Sequence, residues 1–339
     1  MDWGAAHEPA LAVALVGATF HLFSRLALLH ENRRRAEALL PLIDTLDLPT
    51  DDLADFLRAH SRHLRDSSIA ALHAAAQRAA SLFRHSGNRH GLYQTLFSIA
   101  SAFRGFEAQA SAAAQEMAAI EQADWPPALR ALGCIARSMA ASAEQRMADS
   151  RAALEAALAL AEPAGADRLS VVALMNLADL ALLSDTPAEA VQRGQALIAL
   201  LHRRRDQAQL PFVQCNLANA HLQLGDTASA RQLLSQALAA MRRQQWTWLR
   251  AFGDVYALLA ARQGRADDAA RLIGWADAVR QQRGPRQPNE ARCRERAWQI
   301  VNHALPAAEL AACLAAGVAM APEAVVIATL GSPAAAQPG

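Results

Sequence analysis

The stretch Cys215–Leu238, CNLANAHLQLGDTASARQLLSQAL, decides the fold. Its second half, continued to Met241, sets Ala230, Leu233, Leu234, Ala237, Leu238 and Met241 at i, i+3, i+4, i+7, i+8 and i+11, the ladder that lines one face of an α-helix. Its first half is mostly small residues, with Leu217, Leu222 and Leu224 between them. A single Gly225-Asp226 step separates the two. This is a helical hairpin, and what the chain can do depends on whether it stands alone or repeats.

It repeats. Taking Gly225 as a turn mark, similar breaks fall at Glu31, Arg65, Gly105, Gln145, Asp185 and Gly264. Five residues after each mark stands a small side chain: Ala36, Ala70, Ala110, Ser150, Ala190, Ala230 and Ala269. Eight residues before stand Phe23, Leu57, Phe97, Arg137, Leu177, Leu217 and Tyr256, of which only Arg137 is not large and apolar. Antiparallel helices approach closely where one presents a small residue and a large neighbour fills the adjacent gap. Stacking such hairpins buries a continuous core that no single hairpin could bury. Local signals agree. Thr186-Pro187-Ala188-Glu189 reads as a capping box with Pro at the first helical position. Asp226 or Thr227 can cap the next helix, and Trp125-Pro126-Pro127 and Glu162-Pro163-Ala164-Gly165 fall where helices must stop.

Composition supports the same fold. The chain has 339 residues, 53% hydrophobic but only 5% aromatic, so its core is built from Ala and Leu, which suits close-packed helices. Net charge is +1, so no global field draws it to nucleic acid or membrane. All 33 basic residues are Arg. Without Lys there is no P-loop lysine, no Schiff base and no Ser-Lys dyad. Cys134, Cys215, Cys293 and Cys313 are scattered, which suits reduced thiols in a cytoplasmic protein. Asp2 and Glu8 with no early Arg argue against a secretory signal. The apolar run Ala10–Phe20 is too short to span a bilayer and reads as a buried helix.

Leu217, Ala218, Leu224, Gly225, Ala230, Leu234 and Ala237 together resemble the tetratricopeptide repeat, with His221 where that family usually has an aromatic and a period nearer forty than thirty-four residues. The last third, with AARLIGWADAVRQQRG at Ala269–Gly284, the Pro-broken PRQPNEARCRERAWQI and LAACLAAGVAMAPEAVVIATL, is similar to the C-terminal end of large bacterial regulators. Those proteins join a winged-helix or LuxR-type DNA-binding domain, an ATPase of the NB-ARC kind and a helical repeat tail. The start, MDWGAAHEPALAVALVGATFHLF with ENRRRAEALLPLID, is similar to the repeats that follow the ATPase. The DNA-binding and ATPase patterns are absent here. The resemblance therefore implies the sensor or scaffold portion of a transcriptional regulator, with Met1 an internal start or one end of a split gene.

The expected fold is all-α, a right-handed superhelical array of antiparallel helix hairpins of the tetratricopeptide kind. About seven hairpins are expected over 1–280, capping helices over 281–330 and a disordered tail over 331–339. Tetratricopeptide arrays bind partners on their inner helices. Carried onto this sequence, those positions are Met175, Asp179, Asn219, Gln223, Asp254 and Arg262. The expected function is a non-catalytic protein-interaction scaffold in signal transduction. It needs no cofactor or metal, and its partner is a protein or peptide, including an ATPase/DNA-binding regulator module, with no direct nucleic-acid or membrane contact.

Other constellations carry less. His60 and His63 share a helix face near His73, but no Cys or carboxylate pair stands at metal-ligand spacing. No Gly-x-Ser-x-Gly or Gly-rich loop marks an enzyme. Arg33–Arg35 and Arg203–Arg205 read as solvated runs, the second also suiting the negative end of a helix dipole. Residues 241–300 hold twelve Arg against six acids, with Trp246, Trp248, Trp275 and Trp298 among them. The alternative function is a nucleic-acid-binding repeat protein using that stretch, chiefly Arg242, Arg243, Arg280 and Arg283.

Overall fold

The structure, a computed structural model, describes residues 2–26, 28–65, 67–102, 105–243, 246, 249–283 and 286–331, with the backbone only at 2, 3, 5, 25, 282 and 283. It is all-α, and among the described residues there is no strand. The chain divides into two compact units, Met1–Ser170 and Val171–Gly339, a boundary inside the stretch read as one array. Unit 1 holds α1 (Asp2–His7), α2 (Pro9–Arg25), α3 (Leu29–Leu39), α4 (Thr50–His63), α5 (Ile69–Ser86), α6 (Arg89–Ala100), α7 (Glu107–Ile120), α8 (Pro127–Ala143), α9 (Met147–Ala161) and the start of α10 (Asp167–Leu183). Unit 2 holds the rest of α10, then α11 (Pro187–Arg203), α12 (Leu210–Gln223), α13 (Thr227–Arg243), α14 (Gly253–Arg262), α15 (Ala266–Arg283), α16 (Pro288–Ala304), α17 (Ala307–Gly317) and α18 (Pro322–Leu330).

The repeat is written in the turns. Gly105, Gln145, Asp185, Gly225 and Gly264 have φ of 73°, 61°, 52°, 81° and 75°, so five of the seven marks are left-handed residues between two helices. Gly165, Arg205 and Trp246, at 61°, 55° and 62°, do the same between hairpins. Four of these turns place Gln, Asp, Arg and Trp in the left-handed region that Gly adopts most readily. Two marks are corrected. Glu31 lies in the first turn of α3, because the chain already breaks before Leu29, and Arg65, which follows α4, is not itself left-handed.

Six of the seven small residues are buried, from Ala36, Ala110, Ala230 and Ala269 at 0% to Ala190 at 2% exposure; Ala70 is exposed, and Leu72 takes the core position instead. The degenerate Arg137 stays half-buried, its Nη2 3.0 Å from Cys134 Sγ and its Nη1 3.7 Å from Glu121. Asp226 caps α13 by accepting from Ser229 N at 3.0 Å. Thr186 does not cap α11 through its side chain: Oγ1 donates at 3.0 Å to Ala181 O, tying the end of α10 instead.

The C-terminal helices lock onto α15 through glycines. A Cβ on Gly274 would overlap the Leu314 carbonyl, and one on Gly317 would overlap the Arg271 carbonyl, so the α15 and α17 backbones touch where LIGWADAV meets LAAG. Arg265 binds the Ala328 and Thr329 carbonyls and Arg231 the Leu330 carbonyl at 2.6 Å, closing the negative end of α18. Residues 332–339, most of the expected tail, lie outside the described residues. While α17 occupies the flank of α15, α16 leaves the stacking order. It packs on α14 far more extensively than α12 does.

Candidate partner-binding face

α10, α12 and α14 are the first helices of successive hairpins in unit 2. Four of the six carried-over residues form a polar seam along them. Asp179 on α10 accepts from Asn216 Nδ2 of α12 at 2.8 Å. One and two turns on, Asn219 is 2% exposed and accepts from Gln223 Nε2 at 3.4 Å. Asn216, Asn219 and Gln223 are spaced i, i+3 and i+7 and so share one side of α12. Asp254 on α14 is 1% exposed.

Such carboxylates are costly unless matched. The match comes from the spacer after α15 and from α16. Arg286 grips Asp254 with Nε and Nη2, both at 3.0 Å, and reaches Asp277 at 2.5 Å. Asp277 takes Arg294 in a second fork, at 2.9 Å on each oxygen. Arg280 joins Glu290 at 2.9 Å to the Ala251 carbonyl at 3.1 Å. Glu290 also accepts from Gln287 N at 2.7 Å, so one carboxylate both starts α16 and anchors it. Asn289 then donates to the Asp179 carbonyl at 3.1 Å, and Arg292 to the Leu182 carbonyl at 3.2 Å, with Asp185 at 3.4 Å. Thus α16, with the spacer before it, bridges α14 and α10.

Burial sets the protonation of these groups. It pushes the Asp179 carboxyl up to about 7, with the Glu290 charge adding to it. Burial also raises Asp254 despite the Arg286 fork, and Glu290 despite its bond from Gln287 N. At Asp277 burial acts upward too, but Arg294 and Arg286 outweigh it and hold the group below its ordinary value.

Two carried-over residues do not join the seam. Met175 packs into a small apolar cavity with Ala178, Leu197, Phe212 and Leu217, and Arg262 is exposed. Sequence reading missed Asn216, Arg286, Asn289 and Arg292. One local signal was available: Gln287-Pro288-Asn289-Glu290 has Pro at the first helical position and an acid at the third, which announces α16. Nothing local says where α16 goes.

Among the described residues, most of the Arg-rich stretch is tied into unit 2 rather than left open to phosphate. Seven of its twelve guanidiniums, Arg265, Arg271, Arg280, Arg286, Arg292, Arg294 and Arg296, are bonded to carboxylates or carbonyls of unit 2. Arg242 and Arg243 are exposed; the Arg283 side chain and Trp248 lie outside the described residues. Trp275 is a core residue, and Trp298 lies under Arg294, 5.4 Å from guanidinium to ring. Burial pushes the Cys215 thiol up to about 12 and raises Cys134, Cys293 and Cys313, so none is primed as a nucleophile. His73 is bonded to the Ala102 carbonyl at 2.8 Å, and His63 Nε2 lies 2.8 Å from Asn32 Oδ1. Among the described residues no three His, Cys, Asp or Glu converge as metal ligands. No described helix is long and apolar enough to cross a membrane.

With this geometry in place, the chain can be set beside known proteins. No protein-family model matches it, and no curated protein is similar in sequence. Two solved structures share its fold. The apo form of RapI superposes with a TM-score of 0.56 at 11% identity, covering 86% of this chain and 85% of that one. Aspartyl phosphate phosphatase F from Bacillus subtilis superposes at 0.55 and 11% identity, covering 93% and 96%. The likeness is one of fold. It places the chain among tetratricopeptide-like helical-repeat structures over most of its length.

Proposed function

We propose that the protein is a non-catalytic, cytoplasmic interaction module whose seam on α10, α12 and α14 binds an arginine-bearing helical segment of a protein partner. One observation carries this reading: the seam already holds such a segment, α16. Arg286, just before α16, forks onto Asp254, Asn289 and Arg292 bond to α10 carbonyls, and Arg294 pairs with Asp277 of α15. A face that can order one helix through carboxylates and backbone carbonyls can order another of like chemistry. The repeat architecture supports it, since stacked hairpins offer area and shape with no strained nucleophile. The likeness of the tail to bacterial regulators supports a place in signal transduction beside an ATPase/DNA-binding module.

The test is a titration of full-length protein with a labelled synthetic peptide of residues 286–304. In the wild type, α16 competes and the peptide binds weakly. Arg286→Gln with Arg294→Gln loosens α16, and this variant binds the peptide saturably. Adding Asp254→Asn to it abolishes binding. A folded double variant that takes up no peptide would refute the proposal. Turnover of acetyl phosphate by the wild type, a cheap check suggested by the phosphatase among its structural neighbours, would refute the non-catalytic part.

A further inference from the structure

Around α16 in unit 2 arginines are paired with carboxylates; in unit 1 one group of arginines is not. Arg62 on α4 lies over the Phe20 ring of α2, its guanidinium carbon 4.8 Å from the centroid. One turn before it, Arg58 is 7% exposed and bonded to Asp55 at 2.6 Å and Gln94 at 2.8 Å. Arg168, at the start of α10, donates to Ser24 Oγ at 3.2 Å. His21 completes the group from α2. Asp55 is the one carboxylate bonded to any of these four among the described residues. After burial itself, the charges acting on Arg62 are Arg58, Arg65 and Arg168, and burial and these charges lower it to about 10. At His21 burial, Arg58, Arg62 and Arg168 all act against protonation, and only a bond with Gln94 opposes them.

Gathering like charges on neighbouring helices is unfavourable, and partial burial makes it more so. Such an arrangement is stabilised when an anion enters. We propose that this face of unit 1, formed by α2, α4 and the start of α10, binds a small dianionic oxyanion, phosphate or a phosphate monoester, through Arg62 and Arg168 with His21 at its rim. The charge follows from the count: Arg58 is already matched by Asp55, which leaves two guanidiniums to neutralise. The chemistry follows from the guanidinium fork, which fits phosphate oxygens two at a time. Access follows from exposure, since Arg168 and His21 face solvent.

The experiment is calorimetric titration of full-length protein with inorganic phosphate at low ionic strength, with thermal melts alongside. Saturable binding is expected, with Arg168→Gln and Arg62→Gln each weakening it by about tenfold or more. In phosphate-free buffer Arg168→Gln should melt no lower than wild type, because it removes an unmatched cation; a purely structural arginine would lower the melting temperature. Arg168 is exposed, so this variant carries the test if Arg62→Gln does not fold. Phosphate titrations that show no saturation, or variants that bind phosphate as the wild type does, would overturn the proposal. So would binding of a pentaglutamate peptide without any response to phosphate.

Discussion

Raising the pH from 5 to 8 should destabilise unit 2, and Asp179→Asn should remove much of that dependence. The Asp179 carboxyl stands near 7 in the fold, against 3.8 for the ordinary group, because burial and the Glu290 charge disfavour its anion. A raised pKa means that the folded state binds the proton more tightly than the unfolded chain. Stability from this source is therefore complete below about pH 4 and is lost as pH rises through 7. Between pH 5 and about 7 the loss runs over about two pH units at ~1.36 kcal/mol each, ~3 kcal/mol for a fully buried group. The side chain is only half-buried and accepts a bond from Asn216, so about 2 kcal/mol is the expected loss. Asp254 and Glu290 are raised as well and act in the same direction. In unit 1 the sign reverses. Burial is the main cause lowering His63 to about 4, so that unit gains stability as pH rises from about 4 to 6.5. Amide exchange measured peptide by peptide, corrected for intrinsic rates, separates the two units. Opening of α10 and α16 should become easier with rising pH in the wild type and much less so in Asp179→Asn. A wild-type unit 2 more protected at pH 8 than at pH 5, or a variant with the full slope, would refute the reasoning.

Three further outcomes follow from the packing. Gly274→Ala or Gly317→Ala forces apart backbones in contact at the α15–α17 crossing and should cost about 2–4 kcal/mol in denaturant unfolding, with α17 losing protection first. Arg265→Ala leaves the Ala328 and Thr329 carbonyls without their cation and should cost about 1–2 kcal/mol, read as faster exchange over α18 while α14 is unchanged. Gln145→Gly relieves a left-handed residue in the α8–α9 turn and should raise the unfolding free energy by about 0.5–1 kcal/mol, whereas Gln145→Val should lower it.

The fold was legible because it rests on local rules. Ala230, Leu234 and Leu238 announce a helix face, and Gly105, Gly225 and Gly264 mark turns in which a left-handed residue is required. Gln145 and Asp185 were found only by spacing, since neither residue type advertises that conformation. The seam was legible in part. Asp179, Asn219, Gln223 and Asp254 lie along it because the repeat puts equivalent positions on equivalent faces. Met175 lines an apolar cavity and Arg262 lies on the exposed surface, both away from that seam. The bridging helix was illegible. Arg286 finds Asp254 across 32 residues and Asn289 finds Asp179 across 110, and no local propensity encodes such pairings. The unmatched arginines of unit 1 were hidden for the same reason, since Arg168 meets Ser24 across 144 residues.

The central claim is that α10, α12 and α14 form a face that takes up a helical segment, filled here by α16. Hydrogen exchange of the Arg286→Gln/Arg294→Gln variant, with and without the peptide of residues 286–304, tests it most directly. The account predicts that the peptide restores protection to α10, α12 and α14 and leaves α11 and α13 as they were. Protection confined to α11 and α13, or no protection under conditions where the variant is folded, would contradict it.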